Sequence, residues 1–325
     1  MIRLGYACLT LGMPDPSMRA AQLGRYQKGL VDLPPIYEYN AEYARRSIDY
    51  SAAHGLLAYR LSSDIFPLLD IAADARNIVP DLGPLRRIVK RSGMHVSNHP
   101  SQFVVLSSPH EAVVDNSLKV MDDAGWVMHS IGARGSITIH GGGVFGDRPA
   151  AGNRLAHNIE RLTPAARQLV ALENDEKSWT VVDLLEATGG NIPIVFDKLH
   201  WQANARSAPY EVELREAICT WPSDRMPEFH YSEQEIGKPR GAHAEWVTGA
   251  GLLEFLEEIE AASEGREVVV VVEAKRKDLA ISRALLELSA QKWRRMIELV
   301  PSLGIANEPF RALPKSGRRL REARA

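Results

Sequence analysis

His99, His140, Glu173, Asp197, His200, Glu228, His230, His243 and Glu273 are the residues of this chain best suited to chemistry. Neutral imidazole and ionised carboxylate together suit divalent ions such as Zn²⁺ or Mn²⁺. Their spacing favours a shared site. Asp197-Lys198-Leu199-His200 is a D-x-x-H pair whose two side chains can address neighbouring metals from one turn. Glu228 and His230 are two apart, so on a strand they point to the same side. His243 follows 13 residues later, in GAHAEW. Each signal alone is weak. A lone strand-end histidine is more often a hydrogen-bonded structural residue, and Glu173 could pair with an arginine. Gathered at one end of consecutive strands, the set is hard to explain without cations, because burying that many unpaired charges costs several kcal/mol each.

The elements that must position these residues are eight short apolar runs: 2–6, 56–62, 94–99, 136–140, 169–173, 192–197, 226–230 and 268–273. They end on Tyr6, Ser62, His99, His140, Glu173, Asp197, His230 and Glu273. Runs of this length, rich in Val and Ile, read as strands covered on both faces, as in parallel sheets. Between them, segments 40–55, 81–93, 112–132, 152–169, 178–189, 209–220, 246–263 and 279–300 read as helices, with Asp81 as an N-cap and glycines at several C-caps. A doubly wound sheet would usually carry a phosphate-binding glycine fingerprint after its first strand, and this chain has none. The expectation is a (β/α)₈ TIM barrel with the metal site at the C-terminal ends of its strands. One domain should cover 1–310, followed by a basic tail at 311–325.

Composition adds bounds. The chain has 325 residues, 45% of them hydrophobic, enough for a large core. Extended loops are expected at 7–40, 62–80, 141–151 and 231–245. The run VVVVV at 268–272 is far too short to span a membrane. The chain enters its first strand at once, without a signal or transit segment, and its two cysteines fit a reducing compartment, so a cytoplasmic location is expected. A net charge of −2 identifies no partner. Basic clusters occur at Arg86, Arg87, Lys90 and Arg91, at Lys238 and Arg240, and at Lys275, Arg276 and Lys277. The first reads as a solvated helix face. The other two follow ligand-bearing strands and are candidates for phosphate contact.

In combination, RLGYAC at 3–8, YRLSSDIFPL at 59–68, NHPSQFVVLSSP at 98–109 and ITIHGGG at 137–143 resemble the UV damage endonucleases. LENDEKSWT at 172–180, FDKLHW at 196–201, HYSEQ at 230–234 and VEAKRKDLAI at 272–281 extend the resemblance over about 2–300. That family is related to endonuclease IV within the xylose-isomerase-like barrels. The resemblance implies three metals, usually manganese, with zinc as an alternative. His99, His140 and Glu173 would hold the first. Glu173 would bridge to a second, shared with Asp197, His230 and Glu273, and His200 with His243 would hold the third. Glu173, Glu273 and Lys275 would be catalytic. The implied reaction is metal-assisted hydrolysis on the 5′ side of a UV photoproduct in double-stranded DNA, by an activated hydroxide, leaving a 3′-hydroxyl and a 5′-phosphate. Gln102 and Phe103 match a pair that probes the duplex, Tyr6 an aromatic beside the lesion, and Lys238 and Arg240 are placed to meet DNA. A damaged, poorly stacked base step is cheaper to open than a normal one.

Three positions depart from the family pattern. The segment near Leu9 is shortened, Phe103 stands where tyrosine is usual, and Glu228 replaces a lysine that carries a carbamate. Glu228 is expected to supply a permanent carboxylate toward the metals. Packing of Phe103 in a core is the plain alternative to a wedge. Rival functions are an endonuclease for abasic sites, a sugar isomerase or epimerase on the same barrel, and a lesion-binding protein without catalysis. The His200–His243 pair favours phosphodiester chemistry over the sugar enzymes. His140-Gly141-Gly142-Gly143 resembles an esterase oxyanion turn, but no G-x-S-x-G elbow accompanies it. Nothing indicates a dedicated protein interface, and a monomer is expected.

Overall fold

The computed structural model describes residues 1–72, 74–308 and 310. The expected basic tail at 311–325 lies outside the described residues. Eight parallel strands, β1 (Ile2–Ala7), β2 (Ala58–Leu61), β3 (His95–Asn98), β4 (Ile137–His140), β5 (Val170–Glu173), β6 (Ile194–Asp197), β7 (Glu228–Tyr231) and β8 (Val268–Val272), close into a barrel in chain order. β8 pairs with β1 to complete it. The barrel expectation therefore holds.

Alternation along the strands divides the core in two. Ile2, Leu4 and Tyr6 of β1 and Val268, Val270 and Val272 of β8 pack outward, with the helices, in the large apolar layer. Ala7, Ala58, Val269 and Val271 form a small inner cluster. Small inner residues leave room in the barrel for polar side chains, and this chain fills that room with the candidate site. Register then sets their height: His140 is the Cα partner of Glu173, and Asp197 of His230.

The helices depart from the expected spans in instructive ways. The segment 152–169 is two helices, Arg148–Glu160 and Pro164–Arg167. Proline cannot continue a helix, having no N–H to donate to the preceding turn. The segment 279–300 is likewise split into Lys277–Leu286 and Ala290–Leu299, the second capped by Ser289, whose hydroxyl accepts from the Lys292 amide. Asp81 lies one residue ahead of the N-cap, which is Leu82, and its carboxylate accepts from the Gly83 amide at 2.9 Å. Gly93 ends that helix with φ +64°, as a left-handed C-cap should. Arg86, Arg87, Lys90 and Arg91 form its exposed face. Among the described residues, no helix is long and apolar enough to cross a membrane.

Candidate metal centre

Two overlapping groups of potential ligands meet at the carboxyl end of the barrel. One is His99, His140 and Glu173; the other is Glu173, Asp197, His230 and Glu273. Within each group, the ligand atoms lie within 4.8 Å of one another. Glu173 belongs to both because its oxygens face opposite ways. Oε2 lies 2.9 Å from His99 Nε2 and 3.8 Å from His140 Nε2, while Oε1 lies 2.8 Å from His230 Nδ1. Glu273 Oε1 approaches the same His230 nitrogen at 3.2 Å.

His200 and His243 complete the ring of histidines. Their ring centroids are 5.7 Å apart, and His200 stands 5.6 Å from His140. Each turns Nδ1 to a backbone carbonyl, His200 to Asn174 at 3.0 Å and His243 to Glu273 at 3.2 Å, and the same nitrogens lie 3.5 Å from Glu173 Oε1 and 3.4 Å from Glu273 Oε2. Asn174 orders this side of the site. Its side-chain amide donates to the Asp197 carbonyl and accepts from the Asp197 amide.

The electrostatics are those of a cluster short of cations. Burial pushes the Glu173 carboxyl up, but His230, His140 and the hydrogen bonds from His230 and His99 hold it well below the usual carboxylate range. Burial likewise raises Glu273, and Arg60 and His230 more than reverse this. Asp197 is driven up, by burial first and by Glu173 and Glu273 in addition. His200 is driven down by burial, yet Asp197, Glu173 and Glu273 lift it to about 9. Asp197 Oδ2 and His140 Nδ1 are buried without a hydrogen-bond partner. An unpartnered buried carboxylate oxygen among crowded carboxylates fits a divalent cation, so the donor set matches the group that the sequence implies.

Four expected residues sit differently. Tyr6 has no exposed surface. Strand alternation turns Gly5 and Ala7 inward and Tyr6 outward, where its hydroxyl bonds Ser51 and Thr10. It therefore cannot lie beside a lesion. Glu228 is placed behind His230, its Oε1 3.4 Å from Nε2, the nitrogen facing away from the ligand groups. It belongs to neither of them because it stands one layer deeper on β7. Lys275 is half exposed and turned to Glu235, with Nζ 3.4 Å from its Oε2. Arg240 is exposed and spends its guanidinium on the Gln202 carbonyl.

Gln102, Phe103 and Lys238 are exposed, as a role against DNA requires. Phe103 is 80% exposed, which removes the core-packing alternative. The glycines after His140 have a packing role. A Cβ on Gly141 would fall 2.7 Å from the buried ring of Trp179, which donates to the Gly142 carbonyl. Sequence reading missed Arg60, whose guanidinium is paired with Glu273 inside the barrel, and His95, which approaches Glu228. Alternation was the available signal for His95: it lies on the same face as Ser97 and His99.

Fold and site together define a class: a (β/α)₈ barrel whose strand ends gather histidines and carboxylates fit for divalent cations. The family of the UV-endonuclease UvdE matches residues 2–302. A UV DNA damage endonuclease of Bacillus cereus (strain G9842) is 32% identical over 263 residues, covering 78% of this chain and 82% of that one. Its counterpart in Bacillus cereus (strain B4264) is 31% identical over 304 residues, covering 89% and 95%. The chain belongs to the UV-endonuclease family, and so to the DNA-repair endonucleases. Among solved structures, SacUVDE shares the fold with a TM-score of 0.78 at 24% identity over 93% of this chain and 100% of that one. Endonuclease IV from Thermus thermophilus shares it with 0.58 at 14% identity over 91% and 99%.

Proposed function

We propose that this protein cuts double-stranded DNA immediately 5′ to UV photoproducts, leaving a 3′-hydroxyl and a 5′-phosphate. The observation that carries this reading is Glu173, with one oxygen turned to each ligand group, in a chain of the UV-endonuclease family. His99, His140 and Glu173 would hold one ion, and Glu173, Asp197, His230 and Glu273 a second. His200 and His243 would hold a third with ligands from solvent or substrate, and manganese is the expected metal. Bound there, divalent ions supply Lewis-acid stabilisation of a phosphodiester and activate water.

The protein's own residues do the rest. Glu173 keeps the two ligand groups at one spacing, because both of its oxygens are committed. Asn174 clamps the Asp197 backbone, and Arg60 holds Glu273 from the inner side of the barrel. Phe103, carried with Gln102 on the loop after β3, has the exposure needed to wedge into a weakened base step. Its lack of a hydroxyl leaves Gln102 as the polar member of the pair. Lys238 offers a phosphate contact on the loop that carries His243, and Lys275 lies at the start of the next.

The test is cleavage of an end-labelled duplex containing one cyclobutane pyrimidine dimer, with Mn²⁺, beside undamaged and abasic duplexes. A nick directly 5′ to the dimer is expected. Glu173→Gln should lower it by about a thousandfold, several kcal/mol at about 1.36 per decade. Cleavage at the abasic site alone would replace this reading with abasic-site repair. Tight, uncut, metal-independent complexes would make the chain a lesion-binding protein.

A further inference from the structure

We propose that Glu228 is a positioning residue: with His95 and Ser136, it holds His230 so that Nδ1, and not Nε2, is presented to Glu173, Asp197 and Glu273. The inference rests on reading that group as a metal site. Three strands converge on this one carboxylate inside the barrel. Glu228 and His230 share the inner side of β7, and neither has any exposed surface. Glu228 Oε1 lies 3.4 Å from His230 Nε2. Oε2 accepts from Ser136 Oγ at 2.8 Å, at the entrance to β4, and lies 3.3 Å from His95 Nε2 on β3. Ser136 is itself held by Thr138, 2.9 Å away. On the other side of the ring, His230 Nδ1 faces Glu173 and Glu273.

The chemistry follows from what a carboxylate can do. It only accepts, so the ring nitrogen facing Glu228 must carry a hydrogen. The remaining nitrogen, Nδ1, faces the acceptors of Glu173 and Glu273 and by the same rule carries a hydrogen until a cation replaces it; its lone pair then meets that cation. A carboxylate behind a ligating histidine also makes it a stronger donor. Buried with one imidazole alone, Glu228 would keep unsatisfied acceptors, and Ser136 and His95 supply the missing partners. Gly135 leaves space for that arrangement, since a Cβ there would come within 2.8 Å of His95 Nε2. With both oxygens engaged this way, Glu228 acts through His230 and does not itself ligate.

The full-length protein, stripped of metal and reloaded, provides the test. Zinc-loaded wild type carrying ¹⁵N-histidine should show His230 with its proton on Nε2, assigned by comparison with His230→Gln. A proton on Nδ1 would overturn the proposal without any variant at 228. Titration with Mn²⁺, followed by the electron paramagnetic resonance of free Mn²⁺, gives the second readout. Glu228→Met, whose thioether is only a weak acceptor, should weaken one site by roughly 10–100-fold while another keeps its affinity, as expected for a lost outer-shell partner. Glu228→Gln, which keeps a carbonyl acceptor, should stay within a few-fold of wild type. Equal Mn²⁺ binding by wild type and a folded Glu228→Met, in a protein that still cuts the dimer duplex, would sink this inference and leave the proposed function standing. Wild type that binds no Mn²⁺ would remove the metal reading and this inference together.

Discussion

At the residue scale, function concentrates where side-chain type and direction coincide. Glu173 was legible because it ends an apolar run, and its neighbours His99, His140, Asp197, His230 and Glu273 end or follow runs in the same way. Tyr6 and Glu228 were read less well for a related reason. A one-residue step on a strand reverses the face, which sends Tyr6 into the helix layer, and a two-residue step changes depth, which puts Glu228 behind His230. Spacing alone carries direction but not depth. The exposed Phe103 yields a prediction at this scale. Phe103→Ala should weaken binding to the dimer duplex about tenfold, taking a few kcal/mol per unstacked step as the upper bound, while leaving Mn²⁺ affinity unchanged. Measured by duplex titration at fixed salt, an unchanged affinity would deny the side chain its wedge role.

At the element scale, caps and breakers decide where strand ends are held. The helix Val181–Thr188 follows β5 and begins with a capping box: the Thr180 hydroxyl accepts from the Asp183 amide, and the Asp183 carboxylate accepts from the Thr180 amide. Thr180→Ala should cost about 1 kcal/mol, read as a fall in melting temperature of about 2 °C. Asp183 also pairs with Arg206. Burial pushes its carboxyl up, but Arg206 and Thr180 hold the net value below normal. The stabilisation is therefore present above the unfolded pKa of about 3.9 and lost as pH falls through the lower folded value. Asp183→Asn should accordingly be less stable at neutral pH and lose less on acidification. An acid-unfolding curve parallel to that of wild type would contradict this. The helix breaks at Pro164 and Ser289 were legible as residue types, but their effect was not, because apolar periodicity runs through both segments.

At the scale of the molecule, a polar barrel interior makes stability depend on what the site holds. Among the described residues, Glu173, Asp197 and Glu273 converge with only Arg60 and histidines to balance them. Mn²⁺ at about 100 times its dissociation constant should add about 2.7 kcal/mol by mass action, seen as a rise of several degrees in melting temperature that a chelator reverses. No shift at saturating Mn²⁺ would mean that the cluster is balanced by protons alone. The alternating apolar runs by themselves determined the eight strands, their order and the end at which chemistry gathers, since hydrophobic periodicity and chain order are local properties. Only the tertiary structure decided how Glu173 divides its oxygens between two groups, that Arg60 and His95 reach the site from inside, and that Glu228 stands behind His230. Those facts depend on register and depth across a closed barrel, set by pairing between residues far apart in the chain.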